Sequence, residues 1–282
     1  MGDIVWLASY PKSGNTWVRA FLVNYLNEGT DQSMRDLNMF ALGDMDRQHY
    51  EACFGDEGFK KLRRPGVGEE RFEVHAYIAE TFTGNPVVKT HGNFRLQNGR
   101  VAFNLRVTKC AVYIVRNPLD VLVSFADHYG VTIDEVIRGT SEETHKISAQ
   151  ADLVEQYLGT WRSHVANWVS SQGFPKMLMR YEDMVRDPHR AFTQLAGFLK
   201  LGGDENRLAR AIESASFETL RRKEEEEGFA EKSPHSERFF RRGTYGGWRE
   251  VLTPEQVSRI VEFNGPIMRK LGYITDNGDI RF

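Results

Sequence analysis

The sequence predicts an α/β fold, a single domain over residues 1–282 with a central parallel sheet flanked by helices. Three observations predict it. Short apolar runs alternate with stretches of helical periodicity. The first apolar run leads through a tight loop straight into a helix. No internal repeat, and no apolar run near the ~20 residues that span a bilayer, points to another class.

The elements follow in order. Ile4 to Ala8 is short, apolar and β-branched at its start, the pattern of a buried parallel strand. Ser9 to Gly14 is turn-like, and Asn15 to Leu26 has apolar residues at helical spacing. Residues 29–84 carry only interrupted helical patterns. Val87 to Thr90 and Ala111 to Val115 read as strands, and Pro118 to about His128 as a helix with proline in its first turn. Residues 151–171 read as one long amphipathic helix, and Met177 to Tyr181 as a strand. Helices are expected at Pro188–Leu199, Asn206–Ser214 and Pro254–Leu271. Residues 218–247 are charge-dense without a clean apolar period, and are expected to form a mobile lid. Its four consecutive glutamates, Glu224 to Glu227, should repel one another and keep it solvated.

Charge and cysteine usage narrow the function. Lys and Arg total 37 against 39 Asp and Glu, a net charge of −2, which argues against a nucleic-acid or membrane-surface partner. Cys53 and Cys110 form no framework and no metal-binding pair, so a reducing, cytoplasmic setting without a structural metal is expected. The opening residues lack the basic and long apolar regions of a secretory leader.

The loop after the first strand invites comparison with the triphosphate-binding pattern G-x-x-x-x-G-K-[ST]. Gly14 and Thr16 match, whereas Ser9 replaces the first glycine and Asn15 the lysine. A strand–loop–helix still presents backbone N–H groups and a positive helix end to an anion. Lys12 supplies a cation from inside the loop. The strand Ala111–Val115 runs into Arg116, where a triphosphate enzyme has a magnesium-holding Asp. Arg116 and Ser124, eight residues apart, could converge on one phosphate. Arg241-Arg242-Gly243, followed by Gly246-Gly247-Trp248, could form a clamp on a movable loop.

Together these segments resemble the cytosolic sulfotransferases, which use 3′-phosphoadenosine 5′-phosphosulfate (PAPS). Tyr10 through Trp17 looks like the family's 5′-phosphosulfate loop, and Arg116 through Ser124 like its 3′-phosphate motif. Arg241-Arg242-Gly243 with the downstream Gly-x-Trp looks like its C-terminal motif. Lys89-Thr90-His91 is similar to the K-T-H that carries the catalytic base. Tyr181-Glu182-Asp183 and Ser216-Phe217 resemble the segments that approach and stack on adenine. The sequence departs from the family pattern at Asn15, Gly92-Asn93, Ala215 and Arg242.

The resemblance implies the following roles. His91, Lys12 and Lys89 are catalytic; Lys12, Ser13, Gly14, Asn15 and Thr16 hold the 5′-phosphate. Arg116, Ser124, Arg241, Arg242 and Gly243 hold the 3′-phosphate. Trp17, Tyr181 and Phe217 meet the adenine. No metal is expected, and packing is the expected role of His128. The partner is a small-molecule acceptor; Phe40, Tyr77, Phe82, Phe94 and Phe103 point to a hydrophobic or aromatic one. The length is taken to suit a bacterial member. The rival expectations are a P-loop nucleotide kinase and a catalytically inactive PAPS-binding module.

Overall fold

A computed structural model describes residues 2–282. In chain order its elements begin with β1 (Ile4–Ser9), α1 (Asn15–Leu26), α2 (Met34–Phe40), β2 (Leu42–Gly43), α3 (Arg47–Lys61), α4 (Glu70–Thr81) and β3 (Val87–Thr90). Next come β4 (Thr108–Val115), α5 (Pro118–Tyr129), α6 (Ile133–Thr140), β5 (Lys146–Ile147), β6 (Gln156–Tyr157), α7 (Trp161–Ser170) and β7 (Lys176–Arg180). The chain ends with α8 (Tyr181–Arg186), α9 (Pro188–Leu199), α10 (Glu205–Ser214), α11 (Phe217–Glu227) and α12 (Pro254–Lys270). Among the described residues no helix is long and apolar enough to cross a membrane.

The chain divides into two compact units. One takes the residues up to Tyr10, then Ala41–Tyr113 and Arg138–Leu178. The sheet belongs mainly to it, in the order β2-β3-β1-β4-β7. Both β1 and β2 run parallel to β3, with Ala8 opposite Thr90 and Leu42 opposite Val88. All six residues of β1 are buried, as expected of a central parallel strand covered on both faces. Helix α4 packs on β1, and an aromatic core forms where Trp6 and Trp168 meet Phe103 edge-on. Phe94 and Phe103, expected to line an acceptor pocket, are each 2% exposed and belong to this core.

The expected helix over 151–171 is corrected. Only Trp161–Ser170 is helical, because Thr160 and Ser163 form a reciprocal capping box that starts it there. The residues before it pair elsewhere: Val154 N–H donates to Met45 C=O at 2.9 Å, and β6 pairs antiparallel with β5.

The second unit takes Pro11–Phe40, Ile114–Ile137 and Met179–Phe282. Here α1 packs on α2 and α10, α9 lies between α8 and α10 in contact with both, and α12 packs on α5. Tyr181, read as the end of a strand, instead opens α8. Residues 218–227, read as the start of a solvated, mobile lid, are instead helical and belong to α11. The glutamates there do not repel freely, because each has a partner. Glu224 is buried and accepts the N–H groups of Phe239 and Phe240 at 2.6 and 2.9 Å. Glu225 pairs with Arg238, Glu226 with Arg222, and Glu227 accepts Met34 N–H.

Candidate active site

In the second unit the phosphate loop turns on two residues with positive φ, Lys12 at 64° and Gly14 at 103°. Gly14 is the N-cap of α1 and offers no side chain to its N–H groups. A methyl group there would stand 2.7 Å from the Tyr181 ring, so glycine also permits that ring to lie on the loop. Ser13 is 1% exposed, and its Oγ has no hydrogen-bond partner among the described residues. Asn15 and Thr16 are buried with it. A helix start with small polar side chains and no internal cap suits an anion.

Arg116 ties this loop to the clamp. One amino group donates to Lys12 C=O at 3.2 Å and the other to Thr244 C=O at 3.3 Å. Its guanidinium lies 4.3 Å from the centre of the Tyr181 ring, in cation–π geometry. Trp17 packs edge-on against Tyr181 and Phe192, at 5.8 and 5.6 Å between ring centres. Asn117 caps α5 through Leu119 N–H, which fixes Arg116 just before the helix. Ser124 lies half-buried within α5. The structure thus brings Lys12, Gly14, Arg116 and Tyr181 together.

The clamp residues already have carboxylate partners. Arg241 pairs with Asp127 at 3.0 Å and Arg242 with Glu250 at 3.2 Å. Gly243 has φ 65°, and an added Cβ would stand 2.3 Å from Phe217. The clamp backbone therefore rests directly on the ring expected to meet adenine. Asp120, buried in α5, accepts the N–H groups of Gly246 at 2.7 Å and Trp248 at 3.0 Å.

Two residues here escaped the sequence reading, and a third was read for packing alone. Arg19 and Asp120 carried a signal, a charge inside an apolar helical stretch, which marks a buried and paired group. The third is His128. Its ring packs edge-on against Tyr129 as expected, and its Nδ1 also stands 3.4 Å from Lys12 Nζ, so it faces the loop lysine. Burial, then the lysine charge, pushes its pKa down to about 4, so the ring is neutral and its nitrogen can accept from the ammonium. Lys12 also lies over the Phe239 ring, 4.3 Å from its centre.

In the first unit the Lys89-Thr90-His91 segment leaves β3 and is held on several sides. Thr90 Oγ1 donates to Asp44 at 3.0 Å and accepts Gly92 N–H at 3.0 Å. Burial raises the Asp44 pKa to about 6, with the Arg71 ion pair opposing the rise. Trp168 Nε1 donates to Gly92 C=O at 2.9 Å, and His164 Nε2 donates to His91 C=O at 3.0 Å. His91 Nδ1 lies 2.9 Å from Ser9 C=O, an acceptor that fixes the proton on Nδ1 and the lone pair on Nε2. Lys89 is half-buried and opposite Leu7 in register.

The sulfotransferase domain family matches residues 3–272. Cytosolic sulfotransferase 17 of Arabidopsis thaliana is 27% identical, over 90% of this chain and 71% of its own length. Sulfotransferase 1B1 of Mus musculus is 25% identical over 92% and 80%, and luciferin sulfotransferase of Photinus pyralis 24% over 97% and 74%. These relatives are plant, mammalian and insect proteins, which gives the expected bacterial source no support. Among solved structures, retinol dehydratase in complex with retinol and PAP has a TM-score of 0.63 at 18% identity, covering 99% of this chain and 82% of that one. Mouse sulfotransferase SULT7A1 complexed with PAP has a TM-score of 0.56 at 19% identity, covering 95% and 85%. These likenesses support the α/β fold, and the family match takes in every segment described above: the chain belongs to the sulfotransferase family.

Proposed function

We propose that the protein transfers the sulfuryl group of PAPS to a hydroxyl, or an amine, of a small-molecule acceptor. The observation that carries this reading is the phosphate loop, where Lys12, the buried Ser13 hydroxyl and the uncapped start of α1 sit beside Arg116 and Tyr181. That donor set fits a nucleotide with phosphates at both ends of its ribose. When bound, PAPS supplies a sulfuryl group activated by attachment to a phosphate oxygen.

The chain's residues then divide the work. Ser13, Gly14, Asn15 and Thr16 hold the 5′-phosphate, with Lys12 neutralising the charge that grows on the departing oxygen. Arg116, Ser124, Arg241, Arg242 and Gly243 hold the 3′-phosphate, and Trp17, Tyr181 and Phe217 border the adenine. His91 Nε2 takes the acceptor's proton as the acceptor oxygen bonds to sulfur and the sulfur–phosphate oxygen bond breaks. The Nδ1–H bond to Ser9 supports this role by leaving the lone pair on Nε2. Lys89 steadies the sulfuryl oxygens. The burial of Phe94 and Phe103 removes part of the case for an aromatic acceptor. A cytoplasmic setting goes with this reading, supported by Cys53 and Cys110 both being free thiols.

The test pairs binding with turnover. Calorimetry should show adenosine 3′,5′-bisphosphate (PAP) binding far more tightly than AMP without magnesium, and labelled PAPS should sulfate an acceptor from a panel of alcohols, phenols and amines. His91→Ala should lower that turnover by roughly 10²–10⁴-fold with PAP affinity retained. Equal affinity for AMP and PAP, or transfer that needs ATP and magnesium, overturns the reading in favour of a kinase. Tight PAP binding with no turnover on any acceptor leaves an inactive binding module.

A further inference from the structure

Arg19 is the one charged residue in the α1 sequence, and its side chain is 1% exposed. Such a guanidinium needs an anion, and here it has one from far along the chain. One amino group stands 2.9 and 2.8 Å from the two carboxylate oxygens of Glu231. The same amino group donates to Thr16 Oγ1 at 3.1 Å, and Thr16 Oγ1 donates to Glu231 at 3.4 Å. Arg19 Nε is buried with no hydrogen-bond partner among the described residues. A carboxylate thus sits on the first turn of α1, against a phosphate-loop hydroxyl and a buried cation.

We propose that Arg19 joins the 5′-phosphate site to which Thr16 is already assigned, and that Glu231 is the internal occupant of that site, exchanged when nucleotide binds. This rests on the PAPS reading above. The argument is one of proton and charge counting. The Thr16 hydroxyl has one proton, so it donates to Glu231 or to a phosphate, not to both. A phosphate brought to this turn would also meet the carboxylate's like charge. Removing the carboxylate resolves both conflicts and transfers Arg19 to the incoming anion. Glu231 can leave because it lies in the segment between Gly228 and Gly243, which has neither helix nor strand. Its side chain is 28% exposed, whereas that of Arg19 stays fixed in the helix.

Calorimetry on the full chain with two nucleotides tests this. PAP carries the 5′-phosphate; adenosine 3′-monophosphate lacks it. Glu231→Gln keeps the shape and removes the competing charge, so PAP should bind about tenfold more tightly, the scale of one hydrogen bond to a charged group. Binding of adenosine 3′-monophosphate should not change. Arg19→Gln should weaken PAP alone; if that variant does not fold, Glu231→Gln still decides. Hydrogen exchange across 228–240 should rise in Glu231→Gln without nucleotide. Weaker PAP binding by Glu231→Gln, or an equal change for both nucleotides, overturns the exchange and makes Glu231 a fastening for the segment. Wild-type protein that does not bind PAP at all overturns the nucleotide reading and this subsite with it.

Discussion

His164 offers a prediction whose size can be worked from its surroundings. It is fully buried, donates from Nε2 to His91 C=O at 3.0 Å, and accepts the Tyr113 hydroxyl on Nδ1 at 2.8 Å. Burial lowers its pKa from 6.5 to about 4, although the backbone carbonyls of His91 and Gly92 oppose the shift. The folded ring therefore resists the proton that the unfolded ring takes up. Its contribution is complete above pH 6.5 and is lost as pH falls towards 4. With those two values, going from pH 7.5 to 5 should cost about 2 kcal/mol of stability. Other groups titrate over the same interval, and Asp44, raised to about 6, acts with the opposite sign. The difference between wild type and His164→Gln isolates the histidine. Urea unfolding at both pH values should show the wild type losing about 2 kcal/mol more than the variant. Parallel losses would refute the reasoning, as would an NMR titration showing His164 protonated near pH 6.5. Should the variant fail to fold, the titration alone decides.

Two more predictions concern the clamp. Asp120→Asn turns one carboxylate oxygen into an N–H facing the backbone N–H of Gly246 or Trp248, and should cost about 1.5–3 kcal/mol in urea unfolding. A loss within measurement error would mean that the Gly246–Trp248 turn is held by other contacts. Gly243→Ala places a methyl group against Phe217 in a left-handed conformation worth about 1–2 kcal/mol of strain, so it should weaken PAP as well as stability. Unchanged PAP affinity in calorimetry would detach this contact from the nucleotide site.

How much was legible depended on whether a signal was local. β3 and the helices at Asn15 and Pro188 are read to the residue, because a proline, a cap or a run of β-branched residues marks their ends. The phosphate loop, Arg116 and the clamp were legible as motifs. What was not legible is pairing across the sequence. The charge-dense stretch after Phe217 looked solvated because the partners of its glutamates, Met34 among them, lie up to 193 positions away. Residues 151–160 have helical spacing, yet a capping box and the bonds to Met45 and β5 outweigh it. Arg19 and Asp120 announced burial by their setting, but nothing local named Glu231 or the Gly246 and Trp248 amides as their partners.

Lys12 shows a conflict between backbone and chemistry that can be measured. Its φ of 64° lies in the left-handed region, which costs a non-glycine residue about 1–2 kcal/mol. Asn and Asp tolerate that region through local hydrogen bonds; lysine has no such compensation, and glycine would adopt it without strain. The conformation is held from outside, since Arg116 donates to the Lys12 carbonyl. Retaining lysine here makes sense if its ammonium is needed beside the reacting phosphate. Lys12→Gly should separate the two demands. It forfeits the Phe239 and His128 contacts and adds unfolded-chain entropy, but it removes the strain, so unfolding free energy should stay within about 1 kcal/mol of wild type. Turnover with PAPS should fall by roughly 10²–10³-fold, the range seen when one donor to a developing charge is removed. A variant that loses much stability would show the side chain to be what holds the loop. One that keeps its turnover would remove Lys12 from the chemistry and leave its strained backbone without a functional reason.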